Sequence, residues 1–282
     1  MVKHDFEDVE ERTREKLLNL KSILSSLGSV CIAYSGGVDS TFLLRVAKDV
    51  LKEKVLAVTA TSPTYPQYEL EEAMALANKI GVKHLVISSN ELDIPGFSDN
   101  STNRCYYCKN DLFRKLKEES ERYGIKNIAD GSNYDDTKDY RPGRTAAKEL
   151  GVISPLCEAW LTKNDIRSLS KELGLETWNK PSLACLSSRI PYNEKITEDK
   201  LKQVEKAEGV LRSWGFTQFR VRHHNDIARL ELISEEMSLL DNAELRLSID
   251  SALKSLGFKY VAVDLLGYRT GSMNEVIKAY ER

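Results

Sequence analysis

Seven residues near the N-terminus, Tyr34-Ser35-Gly36-Gly37-Val38-Asp39-Ser40, combine two adjacent glycines, two serine hydroxyls and a carboxylate. Adjacent glycines carry no β-carbons, so backbone N–H groups can close on an anion. The stretch follows an apolar run, residues 30–33, and precedes an amphipathic one, residues 41–51. Strand, glycine turn and helix in that order aim backbone donors and the positive end of a helix at a phosphate. Ser35 and Ser40 add hydroxyl donors. Asp39 is the odd member of an anion site, and a carboxylate beside phosphates makes sense where a Mg²⁺ lies between them. The loop is not a Walker A motif, which needs four residues between its glycines and a following lysine.

Three of the five cysteines form a second candidate site. Arg104-Cys105-Tyr106-Tyr107-Cys108-Lys109 places a C-x-x-C at the start of an expected helix, and Cys185 stands in Ala184-Cys185-Leu186-Ser187-Ser188-Arg189. A thiol at a helix N-terminus beside cationic side chains ionises readily and becomes a good ligand or nucleophile. Three chemistries are open. A redox pair uses only two thiols. Structural zinc wants four ligands, and the chain has no second C-x-x-C. An iron–sulfur cluster held by three cysteines leaves one iron open to a hydrosulfide or a substrate. Cys31 lies in the first expected strand and reads as a small buried hydrophobe, while Cys157 has no nearby partner in sequence.

The elements that must position these groups alternate. Strands are expected at residues 30–34, 55–60, 84–88 and 127–129, and helices at 40–51, 69–80, 107–123 and 163–173, with a further helix closing at 146–150. Thr162 and Asp165 have the spacing of a capping box ahead of the 163–173 helix. The alternation predicts an α/β fold with a doubly wound, mostly parallel sheet, whose ligands bind beyond the carboxyl ends of the strands. The glycine turn, Ala60 and the Gly131-Ser132-Asn133 turn all fall at such ends, so they are expected to converge on one nucleotide. The pattern breaks between Pro181 and Pro191, which divides the chain into residues 1–185 and a smaller α+β domain, 186–282. The second part reads as helix 198–213, strands 218–223 and 227–233 in a hairpin, helix 235–256 and strand 260–265.

Composition narrows the function classes. The chain has 282 residues, 41% of them hydrophobic, enough to build two cores. It contains no apolar run near the roughly 18–20 residues of a membrane helix and begins with a charged segment rather than a signal peptide, so it is expected in the cytoplasm and away from membranes. Five cysteines in such a chain do not read as a disulfide framework. A net charge of −2 and a pI near 6.2 argue against a general nucleic-acid binder. Positive charge is nevertheless concentrated at Arg212, Arg220, Arg222, His223, His224 and Arg229. Arg220 and Arg222 point the same way on a strand, as a bidentate phosphate grip requires.

The Ser35-Gly36-Gly37-Val38-Asp39-Ser40 motif resembles the PP-loop of the ATP pyrophosphatase families, which have an adenine nucleotide α-hydrolase-like fold. That resemblance implies that ATP and Mg²⁺ are used and pyrophosphate is released. Over nearly the whole chain the sequence resembles the LarE family of sulfur transferases. The motifs are Gly131-Ser132-Asn133-Tyr134-Asp135-Asp136, Asp139-Tyr140-Arg141-Pro142-Gly143, Cys185-Leu186-Ser187-Ser188-Arg189-Ile190-Pro191-Tyr192 and Arg220-Val221-Arg222. The last two are the more specific. The resemblance implies adenylation of a carboxylate on a pyridinium dicarboxylate mononucleotide and replacement of AMP by sulfur. It places Ser35, Gly36, Gly37, Asp39, Ser40, Ala60, Gly131 and Arg141 on ATP, with Asp39 also on Mg²⁺. Ser188, Arg189, Glu208, Arg220 and Arg222 fall on the substrate. Catalytic roles go to Cys185 and Asp39. One branch of the family draws sulfur from a sacrificial cysteine, matching Cys185. Another carries three cysteines, matching Cys105, Cys108 and Cys185, and is thought to use a [4Fe–4S] cluster supplied with sulfide. All three thiols are present, so the cluster branch is expected, as is a homo-oligomer. Arg141 also reads as a surface charge, Glu208 as a helix-surface carboxylate, and His223 and His224 as satisfied loop histidines.

Other function classes compete. A tRNA thiolase also joins a PP-loop to three cysteines, but it needs an extended basic surface. An amide synthetase of the NAD or GMP synthetase type has no use for reactive thiols. A redox or iron-sensing regulator on an ATP-binding fold would not need the intact loop, and no DNA-binding motif is present.

Overall fold

The structure, a computed structural model, describes residues 2–138, 142–181, 184–269 and 271–275. The chain divides into two compact units, Met1–Ser89 with Cys105–Leu183 and Asn90–Arg104 with Ala184–Arg282. The second unit thus also takes a segment that the division expected at 185 assigned to the first.

In the first unit, β1 (Val30–Ala33), β2 (Val55–Thr61), β3 (Lys83–Ser88) and β4 (Ile128–Ala129) form a parallel sheet in the order β3-β2-β1-β4. The central strands are continuous apolar runs because helices cover both faces. Residue alternation assigns the two faces. Val30, Ile32, Val55 and Ala57 join one core with Phe42, Leu43, Leu156, Ile166 and Leu169, while Cys31, Leu56 and Val58 join another with Phe113 and Leu116. The helices of this unit are α1 (Val2–Leu27), α2 (Val38–Leu51), α3 (Gln67–Ile80), α4 (Arg104–Arg122), α5 (Pro142–Glu149), α6 (Pro155–Glu158) and α7 (Lys163–Glu172), with α4 starting one residue before the unit boundary. α4 begins three residues earlier than expected, so both cysteines of the C-x-x-C lie in its first turns. α1 was read from sequence only as a charged N-terminus.

The second unit packs α8 (Glu198–Ser213) and α10 (Ala243–Ser255) with a three-stranded sheet of β5 (Phe219–His224), β6 (Ile227–Leu232) and β7 (Tyr260–Val263). β5 and β6 form the expected antiparallel hairpin, and β7 pairs parallel to β6, so the sheet is mixed. The expected 235–256 helix is broken into α9 (Ser234–Met237), a 3₁₀ turn (Ser238–Asp241) and α10. The cause is Asn242, whose extended backbone and side-chain oxygen cap the N–H groups of Glu244 and Leu245. Among the described residues no helix is long and apolar enough to cross a membrane.

The capping box at the start of α7 forms as the sequence indicates, and it also anchors α1. Asp165 accepts from the Thr162 N–H at 2.9 Å and hydroxyl at 2.7 Å, from Thr13 Oγ1 at 3.0 Å and from Lys16 Nζ at 2.7 Å. Burial would raise the Asp165 carboxyl, but these donors hold it below its ordinary value. Replacing Asp165 with Ala removes a cap and a charged anchor together. The expected loss is about 2 kcal/mol in urea unfolding followed by circular dichroism.

Candidate functional site

The glycine turn leaves β1 and becomes the first turn of α2. Gly37 is the N-cap residue, with φ −77° and ψ 170°, and offers no side-chain cap to the donors of the first turn. Those N–H groups carry the positive end of the helix dipole toward any anion bound there. Hydroxyls brace the turn from within. Ser40 Oγ receives the Ser35 N–H at 3.3 Å, lies 3.1 Å from Ser35 Oγ, and donates to the Gly37 carbonyl at 3.3 Å. Tyr65 donates its hydroxyl to the Ser35 carbonyl at 2.9 Å.

Two glycines are required by close approach. Gly36 has φ +64°, and a β-carbon there would stand 2.8 Å from Ala73 Cβ on α3. A β-carbon at Gly131, just beyond β4, would stand 3.0 Å from Ser40 N. The turns after β1 and β4 are therefore in backbone contact, on the side where the strand order places a ligand. Ala60 lies near the carboxyl end of β2. Arg141 lies outside the described residues.

Asp39 is the chemical focus of this unit. Its Oδ2 takes a 2.6 Å contact from Lys163 Nζ. Its Oδ1 is buried with no hydrogen bond of normal geometry, although the Asn133 amide is nearby. Burial pushes the carboxyl above its ordinary value, even against the Lys163 charge and hydrogen bond. An orphaned carboxylate oxygen at the positive end of a helix is suited to a hard cation carried in with phosphates. Lys180 is a second cation at the turn. Its Nζ lies 3.5 Å from the Gly36 carbonyl, 2.8 Å from Glu69 and 2.7 Å from Glu72. Burial opposes its charge, but the two glutamates outweigh burial and raise its pKa.

Sequence reasoning missed Lys163 and Lys180. The available signal for Lys163 was its place as the first residue of α7, where a cation opposes the helix dipole and needs another reason to be there. The Gly131-Ser132-Asn133 turn is held by its own hydrogen bonds. Asp130 accepts from the Ser132 N–H, the Ser132 hydroxyl and the Ser154 hydroxyl, and Asn133 Oδ1 accepts from the N–H groups of Asp135 and Asp136. Asp135 in turn accepts the Lys163 N–H at 2.9 Å. Beside this turn the Trp160 and Tyr134 rings pack at 5.0 Å, and Trp160 has φ +60°, a conformation that costs on the order of 1–3 kcal/mol for a bulky residue.

The thiols are distributed between the units. Cys105 is exposed and Cys108 half-buried on α4, and Cys185 is exposed in the second unit. The described cysteines form no disulfide. Among the described residues no group of three or more His, Cys, Asp or Glu side chains is arranged to hold a metal ion. Cys31 is buried, and burial pushes its thiol up to about 12, so it is an inert core residue.

In the second unit Cys185 precedes a 3₁₀ turn, Leu186–Arg189. Arg189, 1% exposed, grips Glu208 through Nε at 2.8 Å and Nη2 at 2.9 Å. Its Nη1 donates to the Ala184 carbonyl at 2.7 Å, the Cys185 carbonyl at 3.2 Å and Ser188 Oγ at 3.0 Å. Glu208, 4% exposed, also accepts the Val221 N–H of β5 at 3.2 Å. The pair thus ties the backbone at Cys185 to α8 and β5. Both residues were expected on the substrate, and their hydrogen bonds here run to protein groups. Arg222 donates to the Ser188 carbonyl at 2.8 Å, to Glu231 at 2.7 Å and to Ser272 Oγ at 2.7 Å, and its buried Nε has no partner. Arg220 donates to the Phe219 carbonyl at 2.6 Å and lies over the Tyr268 ring at 5.1 Å. His223 lies on β5 rather than in a loop; its ring meets that of Phe258 at 5.5 Å with the planes tilted by 60°, and it pairs with Gln203 while its buried Nδ1 has no hydrogen-bond partner.

A parallel sheet whose first strand runs through a glycine-pair turn into a helix bearing Asp39 defines a PP-loop protein. A family model described as NAD synthase matches residues 14–114, which span that turn. The chain is 43% identical to an uncharacterised protein of Synechocystis sp. over 93% of this chain and 98% of that protein. It is 40% identical to pyridinium-3,5-bisthiocarboxylic acid mononucleotide synthase of Lactiplantibacillus plantarum, over 93% of this chain and 95% of the synthase. An uncharacterised protein of Methanocaldococcus jannaschii is 30% identical over 91% of this chain and 98% of its own length. The chain belongs to the LarE family of PP-loop enzymes, that of the Lactiplantibacillus synthase.

The Arg189–Glu208 pair gives a prediction with a definite pH sign. Burial alone would raise the Glu208 carboxyl, but the Arg189 charge and hydrogen bond, with Arg220 and the Val221 N–H, pull it below its ordinary value. The pair therefore contributes fully above the unfolded value, near 4.5, and its contribution fades as pH falls below that. Glu208→Gln leaves Arg189 buried without a counter-charge and should cost about 3 kcal/mol or more at pH 7. Urea unfolding followed by circular dichroism should show that loss at pH 7 and a smaller difference from wild type as the pH falls below the unfolded value.

Proposed function

We propose that the protein is an ATP-dependent sulfur transferase. It adenylates a carboxylate of pyridinium-3,5-biscarboxylic acid mononucleotide and replaces the AMP with sulfur, giving a thiocarboxylate. The observation that carries this reading is the 40% identity, over 93% of the chain, to the synthase named for the bisthiocarboxylic product.

The chemistry divides into two displacements. A carboxylate oxygen of the substrate attacks the α-phosphorus of ATP, the bond from that phosphorus to the bridging oxygen breaks, and pyrophosphate leaves. A sulfur nucleophile then attacks the acyl carbon, and the bond to AMP breaks. The first step needs negative charge on the departing pyrophosphate to be held. In this reading the first-turn N–H groups of α2, with Ser35 and Ser40, cradle the β- and γ-phosphates, and Gly36, Gly37 and Gly131 keep the cradle open to them. Ala60 and Arg141 are assigned to the nucleotide side. Asp39 is suited to hold a Mg²⁺ through its orphaned Oδ1, and the ion would supply charge neutralisation at the pyrophosphate. Lys163 and Lys180 are the cations placed to exchange their carboxylate partners for phosphate oxygens.

Ser188, Arg220 and Arg222 are assigned to the substrate phosphate, supported by the buried unpartnered Nε of Arg222. Arg189 and Glu208 serve the substrate through the backbone at Cys185. Cys185 is assigned to sulfur delivery. The proposed carrier is a [4Fe–4S] cluster on Cys105, Cys108 and Cys185, refilled from a sulfide source. Its support is the donor set, two thiols at i and i+3 of α4 and a third exposed one, rather than an assembled site.

Release of AMP and pyrophosphate from ATP should depend on the pyridinium nucleotide, and Asp39→Asn should lower it at least about 100-fold. Release stimulated only by tRNA would overturn the reading in favour of a thiolase. Cys105→Ala should retain pyrophosphate release and lose thiocarboxylate formation, and protein purified without oxygen should contain iron and labile sulfide. Iron-free protein whose Cys185 loses the mass of hydrogen sulfide after turnover would assign the sulfur to Cys185 itself.

A further inference from the structure

We propose that Trp160, backed by Tyr134, is the platform on which the pyridinium ring of the substrate stacks. The inference takes the substrate class of the proposed function as given and adds the residue that recognises its ring.

The indole is not where the fold needs it. It is 59% exposed, so the core does not require it. Its backbone is left-handed at φ +60°, and the other described non-glycine residues with positive φ are one lysine and three asparagines. The turn that imposes this conformation is held by backbone bonds, Trp160 N–H to the Cys157 carbonyl and Leu161 N–H to the Leu156 carbonyl, both at 3.0 Å. Asn or Gly would make the same turn with less strain. An exposed aromatic kept in a disfavoured conformation calls for a ligand as its explanation.

Its position says which ligand. The Trp160 ring lies 5.0 Å from that of Tyr134 at an interplanar angle of 33°, so the pair presents an aromatic surface. The Tyr134 N–H is fixed on the Leu161 carbonyl at 2.8 Å. The next residue, Asp135, accepts the N–H of Lys163, and Lys163 Nζ rests on Asp39. The aromatic pair and the nucleotide-site carboxylate therefore share one short scaffold, residues 130–136 and 160–163. A pyridinium ring is cationic and electron-poor, and indole is the strongest side-chain partner for such a ring. The exposed carboxylates of Asp135, on that scaffold, and of Glu158, two residues before Trp160, favour a cation over a neutral base.

The test uses intrinsic fluorescence and steady-state kinetics on the full chain. Changing Trp178 and Trp214 to Phe leaves Trp160 as the only indole among the three tryptophans. Nicotinic acid mononucleotide should quench its emission saturably, and ATP alone should not. Trp160→Asn suits the left-handed turn and should keep the wild-type melting temperature. It should raise the KM for the pyridinium biscarboxylate nucleotide about tenfold, the scale of a partly desolvated cation–π contact, and leave the KM for ATP within about twofold. Trp160→Phe should recover most of that loss. An unchanged KM for the pyridinium nucleotide in Trp160→Asn would overturn the proposal. So would a loss confined to ATP affinity, which would give the ring to adenine, or a changed sedimentation mass with unchanged kinetics, which would give it to contact between copies. If the wild type releases no pyrophosphate with the pyridinium nucleotide yet is quenched by nicotinic acid mononucleotide, the function falls and the platform stands.

Discussion

The glycine turn of the first unit depends on close backbone approach. The turn after β1 is pressed by α3 on one side, where Gly36 meets Ala73, and by the turn after β4 on another, where Gly131 meets Ser40. Each contact is a place where one β-carbon would force main chain apart. A small residue faces the first of them, so the crowding is shared by α3 rather than imposed by the loop alone. What this geometry secures is a set of helix N-terminal donors that the N-cap residue leaves uncapped. Uncapped donors cost stability and are tolerated where a ligand completes them.

Charge is handled differently in the two units. Around the glycine turn the ion pairs are incomplete or shared, with Asp39 keeping one orphaned oxygen and Lys180 divided between two glutamates. Such groups can change partners when an anion and its cation arrive, because neither is locked by a bidentate bond. Around Cys185 the opposite holds. Arg189 and Glu208 are bidentate and buried, and Nη1 of the guanidinium donates to local carbonyls and the Ser188 hydroxyl. A pair of that kind contributes less through net Coulomb energy than through the single geometry it enforces. One arrangement suits phosphates that come and go, and the other suits a thiol that must be presented in one orientation.

The parts of this design that were legible in the sequence are those carried by near neighbours. The glycine turn, the capping box of α7 and the β5–β6 hairpin each lie within a few residues, and each formed where its pattern indicated. Lys163 and Lys180 were invisible because their partners lie 124 and 111 residues away. The reading of Glu208 as a helix-surface carboxylate is overturned by its burial. The residue falls on the stripe Leu201, Val204, Glu208, Leu211, which is buried throughout, so its spacing put a carboxylate on the inner face of α8 and called for a cation to meet it. α1 was passed over because its charged opening masked Leu17, Leu20, Leu24 and Leu27, whose helical spacing packs against the core. The break at Asn242 was lost in the same way, with a periodic pattern on each side hiding one capping residue.

The segment from Trp160 to Lys163 shows why local rules fail where they do. Trp160 adopts a backbone conformation that disfavours its own side chain, and Lys163 opens a helix at the end where a cation is least welcome. Between them Leu161 is fully buried and Thr162 caps the helix as the rules require, so the chain is not badly folded there. Each of the two exceptions has an unusual neighbour, an aromatic ring for Trp160 and the half-satisfied Asp39 for Lys163. Local preference and global fold agree through most of a stable protein. Two violations within four residues, flanking an orthodox cap and a core leucine, are therefore better explained by a demand from outside the fold than by poor packing within it.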